Sequence, residues 1–116
     1  MHELIGALNS GCGSEWLIKS FDGWNLGLSS GTSVEYAAPR VVFSGVSYMS
    51  CPFEFSHPTF RVATTSEREN IGRLVPLEAE DSVVAIEAET MAGPDPHVFF
   101  LVASSATLPP TVKALK

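Results

Sequence analysis

Cysteine is scarce in this chain: Cys12 and Cys51 are the only two in 116 residues. Two thiols at unrelated positions do not make the bridged framework of a small secreted domain, and a chain this long can build a core without one. Basic residues are also few. Seven Lys and Arg face thirteen Asp and Glu, for a formal net charge of −6. A surface of that sign repels phosphate backbones, and Lys19, Arg40, Arg61, Arg68, Arg73, Lys113 and Lys116 form no stripe, so no nucleic acid partner is expected. Long apolar runs are missing as well. No window approaches the ~20 residues of a membrane helix, and Met1-His2-Glu3-Leu4 resembles no secretory leader. The expectation is a reduced, cytoplasmic protein with no membrane partner.

Signature motifs are absent too. Gly11-Cys12-Gly13-Ser14 lacks the lysine and the preceding strand of a phosphate-binding loop, and there is no G-x-S-x-G elbow, H-E-x-x-H pair or EF-hand loop. No cofactor is therefore expected. Charged residues make up only 17% against 45% hydrophobic, which argues against disorder and for one packed domain over residues 1–107 with a mobile tail over 108–116.

What the chain does have is period two. Residues 2–9 space Leu4, Ile5 and Leu8 as a short helix, which the glycines at 11 and 13 stop. After that, residues 15–21 alternate as a strand. Asp22-Gly23 is the hairpin signal of a type I′ turn and leads into Trp24, Leu26 and Leu28 on one face. Further strands are expected over 32–36, 40–49 (with Gly45 as a bulge), 59–63, 73–77, 82–90 and 97–103. Ser66 and Glu69 have capping-box spacing and predict one helical turn near 66–71. The fold expected is mostly β, with α+β as the alternative. It would be an antiparallel sandwich, rolled sheet or small barrel of about seven strands.

The densest chemistry lies in Cys51-Pro52-Phe53-Glu54-Phe55-Ser56-His57-Pro58-Thr59-Phe60-Arg61. As a catalytic unit, Cys51 would be the nucleophile and His57 its base, with Glu54 or Arg61 orienting substrate. The simpler reading is an edge loop: the two X-Pro steps remove amide donors, the phenylalanines plug the core, and Glu54, His57 and Arg61 face water. A zinc site from Cys12, Cys51, His57 and His97 lacks the paired spacing such sites use, so no metal is expected. Glu87 and Glu89 share one side of a strand, about 7 Å apart, and mark either a solvated face or a recognition face.

Three functions follow from these residues. The first is a non-enzymatic protein-binding or inhibitory module, of the kind that immunity proteins represent. It would meet a basic partner through an acidic β face, with Glu54, His57, Arg61, Glu87 and Glu89 as binding candidates. The second is a small-ligand β domain whose pocket is lined by Trp16, Trp24, Tyr48 and Phe99, with Phe21 and Tyr36 as further candidates. The third is a thiol-dependent enzyme at Cys51 and His57. Pairing of two copies through a sheet edge is a further expectation, because short antiparallel sheets leave edges free.

Overall fold

The computed structural model describes residues 2–11, 15–30 and 41–108. The strand expected over 32–36 and the tail beyond Leu108 lie outside these residues. Helix α1 (His2–Gly11) is followed by β1 (Glu15–Phe21), β2 (Asn25–Ser30), β3 (Val41–Ser44), β4 (Tyr48–Met49) and β5 (Glu54–Val62). Helix α2 (Thr65–Gly72) then precedes β6 (Ser82–Thr90), β7 (Gly93–Ala103) and β8 (Ser105–Thr107). All eight strands form one antiparallel sheet in the order β4-β7-β6-β5-β1-β2-β3-β8. The mostly β class is as expected, and so are the two short helical segments.

Main chain ties the two ends of this ladder together. β3 continues through residues 45–47 into β4, and β7 continues through Ser104 into β8. At this corner the Ser104 amide donates to the Ser44 carbonyl at 2.9 Å, and the Ser47 amide donates to the Val102 carbonyl at 3.0 Å. The sheet is therefore rolled, one of the three β arrangements expected. The single strand expected over 40–49 is split at Gly45, which has φ 68°. A Cβ at this position would meet the Ser104 hydroxyl, so the corner needs a residue without a side chain.

The inner face of the roll holds the main core. Leu26, Leu28, Phe43, Val84, Ile86 and Leu101 are fully buried there. Trp16 stacks on Phe55 at 6.4 Å between ring centroids and meets Phe60 edge-on at 5.1 Å. Helix α1 adds Ile5 and Leu8 to this core. Its attachment has a clear cause. The β1–β5 ladder spans only Glu15–Leu17 against Glu54–Ser56, so among the described residues the Phe60 backbone has no strand partner on that side. The Asn9 carboxamide supplies the missing partner: it accepts from the Phe60 amide and donates to the Phe60 carbonyl, both at 2.8 Å.

A second, smaller cluster lies outside the sheet, where Ile71 of α2 covers Val83 and Val102. Helix α2 is capped by Thr64, with Glu67 returning to the Thr64 amide. The capping box is thus two residues earlier than Ser66 and Glu69. Both pairs have the right spacing, but Glu67 is also held by Arg61, which selects the earlier start. Residues 73–77 form no strand. The chain turns back after α2, with the Leu74 and Val75 amides donating to the Ile71 carbonyl, and Val75 and Leu77 pack over the outer cluster.

The β1–β2 hairpin forms where Asp22-Gly23 places it, but with a different turn. Gly23 has φ 93° and Asp22 has no positive φ, so the turn is not type I′. Instead the Asp22 carboxylate accepts from the amides of Trp24 (2.9 Å) and Asn25 (2.7 Å). Trp24 falls in the turn and is 61% exposed, leaving Leu26 and Leu28 to share the inner face.

Candidate functional site

Residues 51–61 are not an edge loop. After a bend at Phe53 they enter β5, which lies between β1 and β6 in the sheet. Proline is tolerated in this inner strand because the ladder breaks around it. The register jumps from Ser56 opposite Glu89 to Thr59 opposite Glu87, leaving His57 and Pro58 as a bulge. His57 sits there with φ 52°, a left-handed conformation that non-glycine residues seldom adopt. The bulge turns its imidazole toward the end of β6, and Nδ1 lies 3.2 Å from Glu89 Oε1.

Register sets the rest of the outer face. Glu15, Ser56 and Glu89 stand in one row across β1, β5 and β6. The Ser56 hydroxyl donates to Glu15 Oε1 at 3.0 Å. Glu54 precedes Ser56 by two residues, pairs with Leu17 and is exposed. Strand spacings of about 4.8 Å and a rise of about 3.4 Å per residue put these three carboxylates within roughly 10 Å of one another. Glu87 belongs to a different unit. Arg61 Nε donates to Glu87 at 2.7 Å, and its two terminal nitrogens donate to Glu67 at 2.7 and 2.9 Å. The Arg61 hydrogen bonds, followed by that from the Thr64 amide, hold the Glu67 carboxyl down at about 2. The same contacts push the Arg61 guanidinium further up. Glu87 thus shares a cation with Glu67, whereas Glu15 and Glu54 meet no cation among the described residues.

β5 begins where β6 ends, and an open groove of about 410 Å³ lies between them, lined by Pro52, Phe53, Glu54, Thr90, Met91 and Ala92. Phe53 is 77% exposed and Met91 86% exposed. The expectation places Phe53 in the core with Phe55 and Phe60, whereas the structure leaves it exposed. Phe53 and Phe55 share a phase in any period-two reading, and only the bend at Phe53 separates them. Met91 falls between the strands expected over 82–90 and 97–103. In the fold β7 starts at Gly93, which pairs with Thr90, so the turn contracts to Met91-Ala92.

No family model, curated protein or solved structure matches the chain.

The candidate nucleophile and base are not brought together. Cys51 is half-buried ahead of β5, has no hydrogen bond to His57, and burial pushes its thiol above the ordinary value. Among the described residues no three His, Cys, Asp or Glu side chains gather as a metal site. Cys12 lies outside them, and His97 is exposed on β7 with its ring 6.2 Å from that of Phe99. The aromatic candidates are dispersed. Trp16 is in the inner core, Tyr48 packs against the outer cluster, Phe99 packs against the inner one, and Trp24 and Phe21 are exposed. Tyr36 lies outside the described residues. No helix among the described residues is long and apolar enough to cross a membrane.

Proposed function

We propose that this protein is a non-enzymatic protein-binding module, inhibitory in character, that meets a basic protein partner through the outer face of β1, β5 and β6. The observation that carries this reading is the placement of Glu15, Glu54 and Glu89 on three adjacent strands of one face. Among the described residues His57 is the only ionisable base bonded to any of them. Carboxylates this close lie within about one Debye length (~8 Å at physiological salt) or slightly more of each other, so their potentials add and steer an oppositely charged surface. Complementary charge of this kind gives fast encounter and rejects wrong partners. Glu87 adds less to this face than the other three, because it shares the Arg61 cation with Glu67. A reducing cytoplasm suits the free Cys51 thiol.

The test is capture of partners from an extract of the source cells by the intact protein and by a Glu54→Lys/Glu89→Lys variant, each quantified by mass spectrometry. The expected result is a basic protein retained by the first and lost from the second. Equal recovery by both would remove the acidic face as the binding surface.

A further inference from the structure

We infer that the groove between Phe53 and Met91 receives one bulky apolar side chain of the basic partner, from a segment in which that side chain is flanked by Lys or Arg. This inference rests on the acidic-face reading and adds a point of anchorage to it. Phe53 and Met91 are the two most exposed large apolar side chains among the described residues, and they lie on opposite sides of one groove. A small apolar centre rimmed by polar groups is the anatomy of a protein interface, and the flexible Met thioether adapts to the shape of what it meets.

Charge selects the occupant. Glu54 forms part of the groove wall, and Glu15 and Glu89 stand in the next row of the same face. The neighbouring basic groups are His57, already bonded to Glu89, and the exposed Lys19 at the β1 bulge. A second copy of this chain would set Glu15, Glu54 and Glu89 against carboxylates of the same kind, which like-charge repulsion opposes. A lysine- or arginine-flanked segment would instead find a carboxylate for each cation while its apolar side chain covers Phe53 and Met91. The groove's volume of about 410 Å³ is at the small end for a ligand site (roughly 300–1,000 Å³), and its open walls suit a protruding side chain.

The probe is the synthetic peptide Lys-Lys-Leu-Phe-Lys-Lys, titrated into the ¹⁵N-labelled full chain and followed by NMR. Comparison peptides replace Leu-Phe by Ser-Ser, or every Lys by Glu. Phe53→Ser and Met91→Ser are the groove variants. Both side chains are exposed, and spectral dispersion verifies that each variant is folded. The expected result is shifts centred on Phe53, Glu54 and Thr90 to Ala92. Binding should weaken about tenfold or more in either variant and with the Ser-Ser peptide, as losing a buried apolar side chain entails. Binding that persists unchanged in both groove variants but is lost in Glu54→Lys/Glu89→Lys would overturn the groove and leave the acidic face standing. No preference for the lysine peptide over the glutamate peptide would overturn both.

Discussion

Arg61 on β5 holds both carboxylate oxygens of Glu67 on α2, and its Nε reaches Glu87 on β6, so one guanidinium joins three elements of the fold. Arg61→Ala would leave two partly buried carboxylates without their partner and remove the contact that sets the start of α2. The expected loss is about 1–2 kcal/mol, between that of an exposed pair and that of a charged hydrogen bond in a protected site. Urea denaturation at neutral pH measures it.

The same contact has a pH signature. Glu67 is held at about 2 in the fold against an ordinary 4.5, so its folded form is the more acidic. A lowered folded value stabilises above the unfolded value and is lost as pH falls toward the folded one. The difference in urea midpoint between the parent protein and Glu67→Gln should therefore be constant above pH ~5 and shrink steadily toward pH 2. A difference that is flat across this window would show that Glu67 does not titrate as the geometry requires.

Asn9 is the second long-range tie. Asn9→Ala removes the donor and the acceptor that satisfy the buried Phe60 backbone, and an expected loss of about 1–2 kcal/mol follows from leaving those groups unpaired. Hydrogen exchange at the Phe60 amide should accelerate while exchange across β6 and β7 stays slow. Unchanged protection at Phe60 would mean that α1 is not fastened through this side chain.

Much of this architecture was legible in the residues, and the misses have local causes. Ser82–Thr90 is legible from end to end, because its apolar run over residues 83–86 and the alternation of Glu87 and Glu89 with Ala88 meet no proline or glycine. The first half of β5 was not seen, because His57-Pro58 reads as a loop unless a bulge absorbs the missing amide and the positive φ. Gly45 was recognised as a special point, but the fold bends there fully enough to end one strand and begin another. The segment 73–77 alternates like a strand yet serves as a cover, since Val75 and Leu77 find Ile71 before they find a ladder. On the outer face, Glu54 and Glu89 are legible as candidates, whereas the place of Glu15 beside Ser56 depends on the β1–β5 register, which the sequence does not show. Phe53 was assigned to the core, since period alone cannot reveal a bend.

Gly45 offers a sharp packing test. Gly45→Ala combines a left-handed φ with a Cβ placed against the Ser104 hydroxyl, and should destabilise by about 1–3 kcal/mol. Gly45→Ala combined with Ser104→Gly should recover part of that loss, because the steric half of the penalty is relieved. No recovery would assign the whole effect to the backbone.

Cys51 should behave as a structural thiol. Burial raises its value above the ordinary 9.0, so little thiolate exists at neutral pH. Iodoacetamide should label it slowly at pH 8 in the native protein and quickly in denaturant, with His57→Ala leaving the native rate unchanged. Fast native labelling that depends on His57 would revive a thiol-based chemistry.

The most direct measurement is a charge swap on the outer face. Glu15→Lys/Glu54→Lys is titrated with the lysine-flanked and the glutamate-flanked Leu-Phe peptides at low and at physiological salt. The preference should invert, with the glutamate peptide now bound more tightly and both affinities falling as salt rises. If the swapped protein still favours the lysine peptide, or if the parent shows no preference at either salt concentration, the carboxylates of β1 and β5 do not select the partner.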